Sequence, residues 1–415
     1  MATKYDVFVE LYKSSNPKGC IDIVRAFKKK KTEYQRIRKI LDTLVEMKLI
    51  EKNKYGYQAT MNAKHQHLYD MLQYCIKNGV NYNELFDETV AKYLSKAFLK
   101  KSFGMKDLCL NAKTVSRVSI ILEKNGFLLV LSRKPFKAAV PYNSFLGDLA
   151  AYYGHHPPAT KKKEDEYFEE IQSELSKFKK LRASNERKYQ ELTETYQIKF
   201  IHHSLSIEGN PITLAQTFKI LKDKIVPENL SMESIHEVEN YQKAFSKMIE
   251  NVHEDSALTK ESMLNYHFIA MQHKKEITGR FRDEHVIIRG NADYKVAHYA
   301  EVEGMVAALL KKYNDFNAKK KHSLYEILGF AAYLHNEFQH IHPFFDGNSR
   351  TARLITFHFL LMNEIPILDI PLGLLEEYVF STKGAKKRDD KKLSHVLQQI
   401  IMFNLKAINK KLSNF

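Results

Sequence analysis

The 415-residue sequence has no tryptophan, three cysteines and no long apolar run. Cys20, Cys75 and Cys109 are far apart and show no C-x-x-C spacing. Their number and spacing argue against a disulfide framework and a cysteine–zinc site, and they favour a reducing compartment. The longest strongly apolar run, residues 354–362, is well below the ~20 residues that a helix needs to cross a bilayer. We therefore expect no membrane span.

The beginning of the sequence lacks the pattern of a signal peptide. Residues 1–13 alternate polar and apolar side chains without a continuous apolar core. Together with the cysteine usage, this pattern predicts a soluble, cytoplasmic protein. The apolar content of 44% and aromatic content of 12% exclude a disordered polyelectrolyte. At ~100–200 residues per domain, the length predicts two to four domains.

Positive charge is concentrated in the first third of the sequence. The whole chain has 65 Lys and Arg against 49 Asp and Glu, a net charge of +16. Residues 1–150 contain 27 basic and 14 acidic residues, whereas residues 151–415 contain 38 and 35. This asymmetry predicts a module that faces a polyanion, joined to a near-neutral one. General enrichment of surface lysine is the alternative, but it does not explain the balanced second part.

The basic part contains a weak internal repeat. Residues 38–50 resemble residues 115–127, and in both copies a helical pattern is followed by an apolar strand start and a turn. Three helices followed by a hairpin resemble the order of winged-helix domains. The predicted helices are residues 5–12, 21–27 and 32–47 in the first copy and 67–76, 105–110 and 112–124 in the second, with turns at 54–57 and 132–135 and an insertion at 81–101.

The third helix of a winged helix can enter the major groove of DNA while nearby basic side chains contact phosphates. The candidate nucleic-acid contacts at this helix are Lys28, Lys29, Lys30, Lys31, Arg36, Arg38 and Lys39. The alternative is that such repeats serve as rigid spacers or dimerisation units. The sequence leaves open a contact between residues 1–150 and DNA, and it leaves open a homodimer.

The remaining sequence predicts a mainly α fold class, in which a helical core follows two winged-helix-like α+β domains. Gly, Pro-Pro and a charge run predict a linker at 151–165. Residues 166–200 show the spacing of one long or two short amphipathic helices. A β-hairpin is predicted within 279–294, and residues 383–392 are predicted to be a solvated loop before a helix at 393–412. The expected domains are residues 1–64, 65–150, 166–375 and 376–415.

Residues 340–354 carry the strongest chemical signal. Pro343 is expected to keep His342 extended, and Gly347 permits a tight turn before an apolar helix at 351–362. A turn of this kind directs backbone N–H groups and the positive end of a helix dipole at an anion. Arg350 and Arg353, three residues apart on one helix face, favour a polyphosphate.

Two polar side chains complete this pattern. Asp346 supplies an oxygen ligand for Mg²⁺, and His342 could take a proton from an attacking hydroxyl. A zinc site formed by His335, His340 and His342 is a weaker alternative, because the sequence lacks an H-E-x-x-H motif and no acidic ligand is fixed beside these histidines.

The sequence H-P-F-F-D-G-N-S-R-T-A-R at residues 342–353 resembles the signature H-P-F-x-[D/E]-G-N-G-R-x-x-R of Fic domains. These are helical enzymes that mostly transfer AMP from ATP to a protein hydroxyl. The resemblance covers about residues 170–375. Ser349 departs from the usual glycine but is small enough to keep the phosphate approach, and the absence of lysine there argues against the phosphotransferase branch of the family.

The resemblance implies a role for each motif position. His342 would be the general base, with ATP as co-substrate and Mg²⁺ as cofactor. The nucleotide-binding residues would be Gly347, Asn348, Ser349, Arg350 and Arg353, with Asp346 as the metal ligand. Upstream, Val286, Ile287 and Ile288 would belong to a flap that docks the target protein.

A second motif, S-L-S-I-E-G-N at residues 204–210, resembles the inhibitory signature [S/T]-x-x-x-E-[G/N] of regulated Fic proteins. It implies that Ser204, Glu208 and Gly209 lie on an inhibitory helix and that Glu208 pairs with Arg353, the γ-phosphate ligand. Taken alone, the motif is also compatible with an ordinary helix C-cap.

Together the two motifs imply an autoinhibited protein adenylyltransferase that modifies Ser, Thr or Tyr of an unknown protein or of itself, with AMP removal also open. The alternative is a DNA-binding transcriptional regulator in which the Fic core senses nucleotides.

Overall fold

The computed structural model describes residues 2–413 except 28–32, 142, 157–166, 255–256, 289–290, 320, 367–368 and 386. The chain forms two compact units, one of residues 1–96 and 145–158 and one of residues 97–144 and 159–415. The predicted second domain, residues 65–150, is thus divided between the two units. The predicted domain limits stay a prediction, and the linker at 151–165 lies largely outside the described residues.

Most of the described residues are helical, which confirms the predicted mainly α class. In the first 158 residues the helices are α1 Lys4–Tyr12, α2 Cys20–Ala26, α3 Tyr34–Glu46, α4 Ala63–Lys77, α5 Tyr82–Leu85, α6 Glu88–Ala97, α7 Ala112–Lys124 and α8 Ser144–Tyr152. The strands are β1 Ile50–Asn53, β2 Gly56–Ala59, β3 Phe103–Gly104, β4 Leu129–Arg133 and β5 Phe136–Ala139.

In the first unit, α1, α2 and α3 precede an antiparallel β1–β2 hairpin in which Ile50 lies opposite Ala59. The α3 helix buries Ile37, Leu41 and Leu44, a spacing of four and three residues that places them on one face. The elements follow the predicted order of three helices and a hairpin. The winged-helix assignment stays a prediction.

The basic residues predicted to contact nucleic acid fall into two groups. Lys28, Lys29, Lys30 and Lys31 lie outside the described residues. On α3, Arg38 and Lys39 are exposed, whereas Arg36 donates a 3.2 Å hydrogen bond to the Ala2 carbonyl oxygen and faces Glu33. A DNA contact through residues 1–150 stays a prediction.

Residues 97–144 contain a three-stranded antiparallel sheet in the order β3–β5–β4. The α7 helix has the predicted limits, but the helix predicted at 105–110 is a 3₁₀ turn over Met105–Leu108. Asp107 caps this turn by accepting a 2.7 Å hydrogen bond from the Gly104 N–H, and Cys109 ends it with a left-handed backbone. The segment is therefore too short to form an α-helix.

The helices that follow in the second unit are α9 Phe168–Ser184, α10 Glu186–Ile207, α11 Leu214–Phe218, α12 Met232–His253, α13 Lys260–Ala270, α14 Val302–Asn317, α15 Leu324–Ile341, α16 Asn348–Met362, α17 Leu375–Ser381 and α18 Asp390–Ser413. The sequence allowed one or two helices over 166–200. The structure has two, and they are separated at Asn185.

The α16 helix lies at the centre of this unit. It is buried from Asn348 to Leu360 and packs against α10, α12, α13 and α15. Burial on all sides removes water as a partner for its polar side chains, so a polar atom left unpaired there would be costly. The α18 helix packs against α9 and α15 and completes the core. None of the described helices combines the length and the apolar character that crossing a membrane requires.

The predicted hairpin at 279–294, named here the flap segment, is not a hairpin among its described residues, 279–288 and 291–294. The described backbone groups form a local turn and a bond to the loop after α15 instead of a ladder between two strands. The Arg282 N–H donates to the Pro343 carbonyl oxygen at 2.9 Å, and the Asn291 N–H donates to that of Ile288 at 2.9 Å. Ile287 is 75% exposed and Ile288 is buried.

Candidate active site

His342 is the residue at which α15 ends. Its backbone is left-handed, with φ 49° and ψ 59°, so the prediction of an extended conformation was wrong. Pro343 disfavours the right-handed helical conformation at His342. The His342 N–H nevertheless keeps a helical 2.9 Å bond to the Phe338 carbonyl oxygen, and a left-handed residue closes such a helix end.

The imidazole of His342 is held in one tautomer. Its Nδ1 lies 3.3 Å from the carbonyl oxygen of Gln339. Because a carbonyl only accepts, Nδ1 must carry the proton, which leaves Nε2 as a proton acceptor. Burial lowers the pKa of His342 to about 4, so the ring is neutral near pH 7. This is the state that a general base requires.

Residues 342–347, named here the motif loop, are fixed by two side chains. Asn348 accepts a 2.9 Å hydrogen bond from the Phe344 N–H and donates one of 2.6 Å to the Phe344 carbonyl oxygen. His267 stacks on Phe344 at 3.6 Å and contacts the Asp346 carbonyl oxygen through Nε2 at 3.0 Å. The side-chain amide of Asn348 is thus occupied, and a phosphate would meet its backbone N–H.

Arg282 attaches the flap segment to the motif loop. Its buried guanidinium donates to the carbonyl oxygens of His342 at 2.7 Å and Glu284 at 2.9 Å, and it also contacts that of Ala297. A buried guanidinium that bonds several carbonyl groups resists displacement, because each lost bond would leave a buried polar group unpaired. The position of His342 therefore depends on a residue 60 positions away.

The N-terminus of α16 is the candidate anion-binding site. Gly347 is its N-cap, with φ 79°, and the first-turn N–H groups of α16 face the motif loop. Arg350 lies on this turn and is buried, and its Nε has no hydrogen-bond partner among the described residues. An unpartnered buried donor beside a helix N-terminus fits a phosphate oxygen.

Replacing Gly347 with alanine is expected to reduce ATP binding at least tenfold. A side chain is strained at φ 79°, and the added Cβ would lie 2.8 Å from Cγ and Sδ of Met271. Isothermal titration calorimetry with ATP measures the effect. Gly304→Ala is the matched control, since this glycine lies in α14 and an added Cβ meets no described heavy atom within 4 Å. Equal ATP affinity of the two variants would contradict the prediction.

Asp346 sits between two cations. It accepts from Arg350 Nη2 at 3.0 Å and from Lys274 Nζ at 2.7 Å. Burial would raise the pKa of Asp346, but Arg350 and Lys274 outweigh it and hold the pKa far below its ordinary value. The carboxylate is thus always ionised near pH 7. Its side chain is 41% exposed, so it retains room for a further oxygen-seeking ligand and fits the role of a magnesium ligand.

Arg350 also forms an ion pair with Glu237 on α12. Glu237 in turn accepts a 2.7 Å hydrogen bond from the side-chain amide of Asn210. The hydroxyl of Tyr241, one turn further along α12, donates to the carbonyl oxygen of Arg350 at 3.2 Å. The α12 helix therefore orients the arginine and supplies part of its counter-charge.

Glu208, whose side chain is 18% exposed, forms an ion pair with the buried Arg353. Glu208 is the C-cap of α10, and its Oε1 accepts a 3.0 Å bond from Nη2 of Arg353. Arg353 also donates to the Ser204 hydroxyl at 2.5 Å and to the Ser204 carbonyl oxygen at 3.0 Å. Ser204 and Glu208 of the inhibitory motif thus contact the same guanidinium. Gly209, with φ 97°, allows the chain to turn away directly after the carboxylate.

A second cation reaches Glu208. Its Oε2 accepts a 2.8 Å bond from Nζ of Lys383. Burial would raise the pKa of Glu208, but Arg353 and Lys383 outweigh it and keep the pKa below its ordinary value. Glu208 is therefore ionised and fully paired near pH 7. The prediction that residues 383–392 form a solvated loop was wrong at Lys383, which is paired with Glu208, and at residues 390–392, which begin α18.

The structure brings most of the predicted motif residues together and adds others that sequence reasoning missed. Glu208, Ser204 and Arg353 meet directly, as do Asp346 and Arg350, whereas the described contacts do not join Val286, Ile287 or Ile288 to them. Ser349 is buried in the first turn of α16. The missed residues are Glu237, His267, Lys274, Arg282 and Lys383. The described residues contain no group of three or more metal-binding side chains, which disfavours the zinc alternative.

Comparisons with known proteins find a family match that includes the motif loop and α16 as far as residue 360. Residues 257–360 match the family model described as Fic/DOC family. The chain is 30% identical over 191 residues to protein adenylyltransferase Fic of Drosophila willistoni, covering 46% of this chain and 37% of that protein. The same-named protein of Drosophila sechellia is 25% identical over 274 residues, covering 66% of this chain and 54% of that protein.

A solved structure has the same fold. The crystal structure of a Fic-domain-containing signalling protein from Bacteroides thetaiotaomicron matches with a TM-score of 0.51 at 19% identity, covering 58% of this chain and 97% of that chain. The chain spans between about a third and about half of the length of the two curated relatives named above. The comparisons thus support the Fic/DOC family for this chain, with the family match at residues 257–360.

Proposed function

We propose that the protein is an autoinhibited adenylyltransferase that transfers AMP from ATP to a Ser, Thr or Tyr hydroxyl of a protein. The observation that carries the proposal is the pairing of Glu208 with Arg353 beside a neutral, oriented His342 and the N-terminus of α16. The adenylyltransferase names of the relatives support the reaction class.

The residues divide the proposed reaction between them. The hydroxyl oxygen attacks the α-phosphorus of ATP while Nε2 of His342 accepts its proton. The bond from the α-phosphorus to the oxygen bridging to the β-phosphorus breaks, and pyrophosphate leaves. The first-turn N–H groups of α16 and the Nε of Arg350 stabilise the developing charge. Mg²⁺, held by Asp346, would neutralise phosphate charge when bound.

Inhibition follows from the charge on Arg353. Its guanidinium is buried and already paired with Glu208, so the terminal phosphate of ATP would have to displace that carboxylate. An ionised carboxylate also repels the polyphosphate across a low-dielectric site. ATP then has no anchor that sets its α-phosphorus in line with the attacking hydroxyl, and transfer is slow.

The proposed reaction is tested by asking which phosphorus atom of ATP is transferred to protein. The Glu208→Gly variant, incubated with Mg²⁺ and ATP labelled at either the α- or the γ-phosphorus, is expected to incorporate only the α label into protein. Gel autoradiography of the purified variant alone measures incorporation. Transfer of the γ label would instead assign the protein to phosphotransfer.

A further inference from the structure

Lys383 binds the carboxylate oxygen of Glu208 that Arg353 does not bind. Its Nζ lies 2.8 Å from Oε2 of Glu208 and 3.4 Å from the carbonyl oxygen of Ile207, and its side chain is 21% exposed. The two oxygens of one carboxylate are thus divided between two cations that come from different parts of the chain. Two fixed partners on opposite oxygens restrict rotation of the carboxylate far more than one does.

The position of Lys383 is set by its own turn. Thr382 donates from its hydroxyl to the Tyr378 carbonyl oxygen at 2.9 Å, and the Gly384 N–H donates to that of Val379 at 2.8 Å. These bonds continue the end of α17 into a tight turn that presents Lys383 to the C-terminus of α10. The ammonium also lies near the last carbonyl groups of α10, where a cation is favoured.

The flap segment is hydrogen-bonded to the turn that contains Lys383. The side-chain amide of Asn291 donates to the carbonyl oxygens of both Lys383 and Ala385 at 2.9 Å. Asn291 is joined in turn to Ile288 by its backbone bond, and Ile288 is buried behind the exposed Ile287. A continuous set of contacts therefore runs from the flap segment through Asn291 and Lys383 to Glu208.

We propose that Lys383 is a positioning residue that keeps Glu208 in its inhibitory position on Arg353, and that Asn291 makes the position of Lys383 depend on the flap segment. The inference rests on the proposed function, because it adds regulation to the same inhibitory contact between Glu208 and Arg353. When the flap segment moves, the turn at 382–385 loosens, Glu208 loses one of its two cations, and the nucleotide's terminal phosphate competes more effectively for Arg353.

The test is a set of lysine variants in the full chain. In the wild-type background, Lys383→Met is expected to raise AMP transfer and ATP affinity about three- to tenfold, since a charge-assisted contact to Glu208 is lost. Lys383→Arg keeps the charge and is expected to remain inhibited. Lys387→Met is the matched control, because Lys387 is exposed in the same loop, and it should change neither quantity.

The Glu208→Gly background separates the two proposals. There, Lys383→Met is expected to change AMP transfer less than twofold, because the carboxylate that Lys383 positions is gone. An unchanged wild-type rate and ATP affinity in Lys383→Met would overturn the inference. A large loss of transfer in the Glu208→Gly background would also overturn it, because Lys383 would then act on the nucleotide. An inactive Glu208→Gly variant would instead count against the proposed function.

Asn291→Ala provides a second route if Lys383→Met does not fold. It removes both bonds to the turn without substituting Lys383 itself. We expect it to raise ATP affinity two- to threefold in the wild type and to have no effect in Glu208→Gly. Calorimetry with ATP measures this without relying on catalysis, and equal affinities of Asn291→Ala and the wild type would contradict the coupling.

Discussion

Replacing Glu208 with glycine is expected to raise AMP transfer about 100-fold while making the protein less stable. The gain follows because the terminal phosphate no longer competes with the Glu208 carboxylate for Arg353, and a 100-fold change in rate corresponds to about 3 kcal/mol. The loss follows because Arg353, 2% exposed, and Lys383, 21% exposed, keep their charges without their shared partner. We expect the free energy of unfolding to fall by about 2–4 kcal/mol. Initial rates of AMP transfer and urea unfolding measure the two effects.

A matched control separates charge from backbone effects. Glu254 is the C-cap of α12, with φ −80° and ψ 3°, close to the φ −86° and ψ 0° of Glu208, but it is exposed. Glu254→Gly introduces the same backbone freedom at a helix end without unpairing a buried cation. It is expected to leave AMP transfer unchanged. A similar activation of both variants, or an activation of neither, would refute the inhibitory role of Glu208.

Replacing His342 with alanine in the Glu208→Gly background is expected to reduce AMP transfer about 10³-fold. A general base of this kind typically contributes 10²–10⁴ to a rate. ATP affinity should change little, since the phosphates are bound by α16 and its arginines. His253→Ala, an exposed histidine in the last turn of α12, is the control and should retain full activity. Loss of ATP binding in step with the rate would assign His342 to binding instead.

The pH dependence of kcat/KM tests the general-base role of His342 independently. Because the pKa of His342 is about 4, the ring is deprotonated and able to accept a proton at every pH well above that value. In Glu208→Gly, kcat/KM is expected to stay level as the pH falls toward 5 and to drop only as it approaches 4. An acidic limb centred near 6.5, the ordinary pKa of histidine, would contradict the assignment.

The features that the sequence predicted best are local ones. The turn at Gly347, the buried α16 helix and the placement of Arg350 and Arg353 on its first turns follow from residues within one short segment. The helix predicted at 351–362 begins three residues earlier because Gly347, with φ 79°, acts as its N-cap. The conformation of His342 could not be predicted, because proline excludes one backbone region without choosing between the others.

Contacts between distant segments were beyond sequence reasoning. Lys383 lies in a charged stretch that resembles any solvated loop, and its pairing with Glu208, 175 positions away, depends on how α17 ends. Glu237 and Arg282 also carry no local signal, since one is an ordinary helix residue and the other lies in a loop. Only the pairing of Glu208 with Arg353 was predicted, and that prediction came from two family motifs considered together.

The flap segment shows why a β-branched pattern in the sequence can fail to predict a strand. Val286, Ile287 and Ile288 have the β-branched pattern of a strand, and a following Gly-Asn pair is typical of a hairpin turn. In the described part of the segment, the Arg282 N–H instead bonds to the motif loop and the Asn291 N–H bonds to Ile288 within the segment. The guanidinium of Arg282 secures the attachment to the motif loop. A β-branched pattern shows that a segment is able to form a strand. Its neighbours in the fold decide whether it does so.

The most direct test of the account is the intact mass of the Glu208→Gly variant after incubation with ATP and Mg²⁺. We predict a gain of one or more AMP units on the variant or on a protein added from cell extract, almost none with the wild type, and none with the Glu208→Gly, His342→Ala double variant. Equal gains for wild type and Glu208→Gly, or a gain that persists without His342, would contradict the account.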